Sequence, residues 1–236
     1  MNDQADQHPV FIGIAGIIGV GKTTLTKNLA EYLHGEAFYE PVKENEYLDD
    51  FYREVAEIDE LRAAGKPYPF GRLSAMMQLY LLQKRFSQHQ HIIWSLEVTP
   101  RQVVQDRTIY EDTIFAQMLR DDGYMCPRDY KTYLSTFRGM THYLQRPDIV
   151  LYLDVSPRMA YDRIQSRGRT SEKSITLEYL SALWAGYESW YAAMRDTLNI
   201  VRLPWSAFEE PKAVAAFVEN EIGHRGVLPS RWGAHL

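Results

Sequence analysis

Cysteine is nearly absent: Cys126 is the only one in 236 residues, so no disulfide can form within the chain. That composition fits a reducing compartment, with ordinary packing as the expected role of the lone thiol. Positive charge is not in excess either. Lys and Arg total 26 against 31 Asp and Glu, a formal net charge of -5. No global basic field exists to draw in nucleic acid or an anionic membrane, so any phosphate binding must come from a local cluster of positive groups. No apolar stretch is long enough to span a bilayer. Val10 to Val20 could be taken for a signal-peptide core, but Asp3 and Asp6 precede it where lysines would be expected. Repeats and low-complexity linkers are missing too. These absences point to a soluble, cytoplasmic protein with no nucleic-acid or membrane partner.

What is present is ordinary for a globular chain: 45% hydrophobic and 24% charged residues. The length suits one α/β domain over residues 1–236, with 1–9 and 223–236 as tails. Val10 to Ala15 is a short apolar run of the kind that makes a doubly covered strand. Similar runs recur at Ala37–Tyr39, Val103–Gln105, Ile149–Leu153 and Ile200–Leu203. Helical patterns lie between and after them, at Lys22–Leu33, Leu73–His91, Pro127–Leu144, Pro157–Arg167, Leu177–Arg195 and Pro211–Ile222. Alternation of this kind predicts a five-stranded parallel sheet with helices on both faces. Ligands of such sheets sit beyond the carboxyl ends of the strands, so polar residues there are the ones to question: Glu40, Asp106, Arg107 and Asp154.

Gly16-Ile17-Ile18-Gly19-Val20-Gly21-Lys22-Thr23 matches G-x-x-x-x-G-K-[ST] at every fixed position and opens a predicted helix. Its glycines let backbone N–H groups turn inward onto phosphate oxygens. Lys22 supplies a point charge, and the Thr23 hydroxyl can ligate Mg²⁺. A nucleoside triphosphate, with ATP as donor, is the ligand this predicts. A hydrolytic reading would use Asp154 as a Walker B acid, but Val155 follows it where a water-activating glutamate would stand. No N-K-x-D guanine motif occurs. Turn chemistry favours Asp154 as a strand-end residue leading into Ser156-Pro157.

The remaining signals are most specific as a set. Gly16 to Thr24 is similar to the G-N-I-G-A-G-K-S-T loop of deoxynucleoside kinases, with Ile17 at the asparagine position. Glu40-Pro41-Val42 and Asp106-Arg107-Thr108-Ile109-Tyr110-Glu111-Asp112 resemble that family's next two strand ends, and Arg163 to Arg169 before Leu177-Glu178-Tyr179 resembles its lid. The likeness runs from about Phe11 to Leu203. It implies a P-loop kinase fold with an arginine-bearing lid, and transfer of a phosphoryl group to the 5′-hydroxyl of a deoxynucleoside, with Mg²⁺. By resemblance Glu40 is the base, assisted by Arg107 and Lys22. Gly16, Gly19, Gly21, Lys22, Thr23, Thr24, Arg163, Arg167 and Arg169 hold the nucleotide, while Thr23 and Asp106 serve the metal. Gln78, Arg85 and Asp112 read the base; Tyr52 and Glu172 hold the sugar. Tyr68 is the substitute for Tyr52, because residues from roughly Arg53 to Pro67 are extra relative to the family pattern. Arg85 together with Asp112 resembles members accepting purine deoxynucleosides and deoxycytidine, with deoxyadenosine the first expectation. The likeness also implies a homodimer. Two other readings stay open: a nucleoside monophosphate kinase, and a non-catalytic nucleotide-binding subunit.

Overall fold

Apolar runs at five places in the chain fold into strands, and all of them join one sheet. In the computed structural model, which describes residues 9–40, 45–169, 172 and 175–225, these are β1 (Phe11–Ala15), β2 (Glu36–Phe38), β3 (Val103–Asp106), β4 (Ile149–Asp154) and β5 (Ile200–Pro204). Every pairing is parallel, in the order β2-β3-β1-β4-β5. β1 therefore lies at the centre, beside the point where the strand order reverses, which is where doubly wound sheets bind ligands.

The eight α-helices of the described residues are α1 (Lys22–Tyr32), α2 (Leu48–Ala63), α3 (Arg72–Val98), α4 (Asp112–Asp121), α5 (Pro127–Thr141), α6 (Pro157–Arg167), α7 (Leu177–Met194) and α8 (Pro211–Arg225). Five of these match the periodicity within three residues at each end, and α3 matches it at its start. α2 and α4 do not figure among the sequence patterns, and α3 runs on to Val98, seven residues past the expected end at His91. Several starts are written locally. Ser156 caps α6 by accepting from Met159 N–H at 3.3 Å, with Pro157 at the first helical position, and Thr176 caps α7 by accepting from Tyr179 N–H at 3.1 Å.

Register shows which helices cover which face. Ala15 pairs with Tyr152 and Phe11 with Val103, so Phe11, Ala15, Val103 and Tyr152 share one face. Ile92 and Leu96 of α3 pack on Phe11 and Val103, and Tyr187 of α7 stacks on Tyr152. Right-handed crossovers then put α1, which links β1 leftward to β2, on the opposite face. The chain falls into two compact units. One holds the whole sheet and comprises residues 1–40, 88–108 and 145–236; the other, 41–87 and 109–144, is built from helices.

Candidate active site

The sheet unit carries the phosphate loop. Gly16, Gly19 and Gly21 have φ of 143°, 88° and 103°, a region that side chains rarely enter. At Gly21 there is a second constraint, since a Cβ would meet the Phe208 ring at 2.5 Å. Lys22 is buried, its Nζ donating to Gly16 O at 2.9 Å and Ile17 O at 3.1 Å, so the ammonium is turned back into the loop. α1 begins at Lys22 and brings the positive end of its dipole to the same place; Thr23 and Thr24 are exposed in its first turn.

β3 runs beside β1, and its last residue reaches the start of α1. Thr23 Oγ1 donates to Asp106 Oδ2 at 2.5 Å. The other oxygen, Oδ1, is buried with no hydrogen-bond partner among the described residues. A hydroxyl and a carboxylate oxygen left unsatisfied fit a small hard cation that keeps its remaining ligands from water and phosphate, which is how Mg²⁺ is usually held. No group of three acidic, His or Cys side chains among the described residues offers a self-sufficient metal cage. Asp154 is differently engaged: Oδ2 accepts from Arg202 Nε at 2.9 Å, and its backbone carbonyl accepts from Trp205 N–H at 2.8 Å. This strand-end aspartate is part of an ion pair.

Arg107, one residue past β3, has φ of 66° and is 2% exposed. A left-handed conformation costs a non-glycine residue about 1–3 kcal/mol and is retained where the surroundings require it. Its N–H donates to Ile14 O at 3.0 Å, which fixes the turn against β1. Among the side chain's contacts, Nε lies 3.1 Å from Glu40 Oε1, and Nη1 donates to the Tyr187 hydroxyl. Glu40 itself is not in a strand. β2, the edge strand, covers Glu36–Phe38, one residue earlier than the expected run at Ala37–Tyr39. From two residues beyond the edge its carboxylate nonetheless reaches the arginine that follows the strand next to β1.

The three lid arginines part company. Arg163 Nη1 donates to Val20 O at 3.0 Å, and Nη2 donates to Trp205 O and Ser206 O, both at 3.0 Å. Its Cζ stands 4.9 Å from the centroid of the Phe208 ring. It stitches the phosphate loop to the segment after β5, where the sequence suggested a direct phosphate ligand. Arg167 and Arg169 instead meet Glu172, at 2.7 Å and 3.7 Å. Two arginines expected to serve the nucleotide are thus paired with a glutamate expected to serve the sugar.

In the helical unit, Gln78 and Arg85 lie seven residues apart on α3, hence on one face, and both are buried. Arg85 Nη1 is 2.8 Å from Asp112 Oδ1, with the two side chains only 4% and 1% exposed. Beside them is Tyr133 of α5, whose hydroxyl has no hydrogen-bond partner among the described residues; burial, reinforced by the negative charge of Asp112, raises its pKa far above the ordinary phenol value. Tyr52 is 51% exposed next to Phe51, while the Tyr68 ring carries the Arg62 guanidinium at 4.8 Å. Glu54 of α2 caps α3, accepting from Arg72 and Leu73 N–H at 2.9 Å each. Sequence reasoning missed Tyr187 and Phe208. Both read as ordinary aromatics, and no motif marks them.

A central glycine-lined loop, a threonine–aspartate pair at its rim and an all-parallel sheet define a P-loop kinase fold. The deoxynucleoside kinase family model matches residues 12–221. A deoxyadenosine kinase of Dictyostelium discoideum is 39% identical over 210 residues, covering 89% of this chain and 78% of the relative. A deoxyadenosine/deoxycytidine kinase of Bacillus subtilis (strain 168) is 38% identical over 183 residues, covering 76% of each. Among solved structures, deoxyadenosine kinase from M. mycoides with dCMP and dCDP bound superposes with a TM-score of 0.71 at 29% identity, covering 90% of this chain and 98% of that one. The chain belongs to the deoxynucleoside kinase family and has deoxynucleoside kinase activity.

Proposed function

We propose that the chain transfers the γ-phosphoryl group of ATP to the 5′-hydroxyl of a deoxynucleoside, with deoxyadenosine preferred. The observation that carries this reading is the Glu40–Arg107 pair, a carboxylate and a guanidinium 3.1 Å apart in the unit that holds the phosphate loop. Glu40 accepts the hydroxyl proton as the sugar oxygen bonds to phosphorus, and the bond to the β-phosphate oxygen breaks. Such transfers depend chiefly on positioning and on compensating the charge of the phosphoryl oxygens. Lys22 leaves the Gly16 and Ile17 carbonyls to meet the phosphates, and Arg107 supplies a planar fork beside Glu40. Thr23 and Asp106 hold Mg²⁺, which shields the triphosphate charge when bound. Gly16, Gly19, Gly21 and Thr24 line the phosphates. Arg167 and Arg169 release Glu172 as the lid closes, freeing Glu172 for the sugar and the arginines for the phosphates. Arg163 acts indirectly, by fixing the loop carbonyl of Val20.

Base selection is assigned to Gln78, Arg85 and Asp112, with Tyr52 toward the sugar, since Tyr68 is engaged by Arg62. A buried polar pair rejects a mismatched base strongly, because its groups are left unpaired. Of the relatives described above, one is named for deoxyadenosine and the other for deoxyadenosine and deoxycytidine, which supports that choice. Four deoxynucleosides assayed with ATP and Mg²⁺ test it: deoxyadenosine should give the highest kcat/KM, and a clear preference for thymidine would refute the assignment. Activity on dTMP or dCMP with none on nucleosides would favour a monophosphate kinase, and no turnover at all a nucleotide-binding subunit. A homodimer in the cytoplasm completes the proposal. Trp94 and Val98, exposed one turn apart on α3, are available for the contact, and the mass of the protein in solution checks it.

A further inference from the structure

Arg107 has a long side chain, and its guanidinium contacts include Glu40 and the Tyr187 hydroxyl, the first of which the reaction itself weakens. When Glu40 accepts the hydroxyl proton, its charge is lost, and so is most of its attraction for Arg107 Nε at 3.1 Å. The second of these partners is the Tyr187 hydroxyl, which accepts from Nη1. This contact does not pass through the Glu40 carboxylate, so proton acceptance there leaves it in place.

Tyr187 is also rigid for reasons unrelated to Arg107. It is fully buried, its ring stacked on Tyr152 at 5.8 Å with 10° between planes and edge-on to Trp190 at 5.9 Å. Tyr152 is in turn fixed through its hydroxyl, which donates to Glu188 Oε1 at 3.0 Å, and Glu188 is held by Arg202 at 2.9 Å. The oxygen presented to Arg107 is therefore placed by aromatic packing on β4 and within α7, independently of the guanidinium's own state. Arg107 has φ of 66°, so its backbone is fixed, and the Tyr187 hydroxyl helps to orient the side chain that leaves it.

We infer that Tyr187 is a positioning residue for phosphoryl transfer, keeping the Arg107 guanidinium oriented while the charge on Glu40 changes. The inference rests on the catalytic role proposed for Arg107, and the experiment separates the two. Tyr187→Phe keeps the ring stack and removes only the hydroxyl. It should lower kcat about tenfold, the order expected for a modest loss of alignment, with the Kd of ATP and of deoxynucleoside changed less than about twofold. In an Arg107→Lys background the same change should have no further effect on kcat. Unchanged kcat in Tyr187→Phe, an equal loss in binding and turnover, or effects that multiply with Arg107→Lys would each overturn the inference. If Arg107→Lys alone turns over normally, the role of Arg107 falls and that of Tyr187 with it. If Arg107→Lys is impaired and Tyr187→Phe is not, only Tyr187 loses its role. Should Tyr187→Phe fail to fold, 3,5-difluorotyrosine placed at 187 retains shape and weakens the oxygen as an acceptor. At pH 6 it should reduce kcat with unchanged Kd values, and an unchanged kcat there contradicts the inference.

Discussion

In the sheet unit, Lys22, Asp106 and Arg107 stand where the central strands give out, and the backbone aims them; in the helical unit, Arg85 and Asp112 are enclosed between helices and aim each other. The difference is physical. A strand end in a parallel sheet has one geometry, so a residue type at that point already has a direction, and left-handed φ at Gly16, Gly19, Gly21 and Arg107 sharpens it. A charged pair inside a helical layer has no such frame. It persists because neither ion can be left without the other once water is excluded. Function should therefore be separable from stability in the first unit and inseparable from it in the second.

Four substitutions or conditions test that contrast, in descending order of consequence. Lys22→Ala should reduce kcat/KM by roughly a thousandfold or more, as loss of a charge aimed at the reacting phosphates does, while the thermal midpoint stays within a few degrees. A midpoint that collapses would place Lys22 with the enclosed pair instead. Asp112→Ala leaves Arg85 buried without its carboxylate and should destabilise the protein by about 3–5 kcal/mol in urea unfolding, with deoxynucleoside binding lost in parallel. Stability unchanged within error would mean the pair is not enclosed. The third test uses pH. His89 is buried and its pKa is lowered to about 4, chiefly by desolvation and partly opposed by its bond to Gln145 O. Its folded-state value lies below the unfolded one, so its contribution is full above about pH 6.5 and lost as pH falls toward 4, about 3 kcal/mol in all. His89→Phe should flatten that part of the stability–pH curve. The smallest effect is expected for Glu172→Gln, which weakens the pairs with Arg167 and Arg169: KM for the deoxynucleoside should rise several-fold with stability within about 0.5 kcal/mol.

Legibility from sequence divides along the same line. The sheet, its parallel connections and the phosphate loop were readable because apolar runs of strand length and a fixed glycine spacing have few other uses. Thr23 and Asp106 were expected to share a metal, and they share a hydrogen bond. α2 escaped because its buried positions reduce to Phe51 and Ile58 in a strongly charged segment, too few to make a periodic stripe. α4 escaped because it starts directly after a strand-end motif, at Asp112, with no cap residue to announce it. Arg163 and Arg167 looked equivalent, one turn apart on one helix. Only the folded chain shows that Arg163 lies within reach of Val20 O and of the segment after β5, which no local spacing encodes. Tyr187 was illegible for the same reason: α7 contains Tyr179, Trp184, Tyr187, Trp190 and Tyr191, and which of these carries a polar contact depends on a residue eighty positions away.

Glu40→Gln preserves size and an acceptor oxygen while removing the charge and the basicity, so it addresses proton acceptance at the carboxylate beside Arg107. Turnover of deoxyadenosine should fall by about 10²–10⁴, as expected for loss of a general base, while the Kd of ATP measured by calorimetry changes less than about threefold. Equal losses of turnover and ATP affinity, or wild-type turnover, would contradict the account.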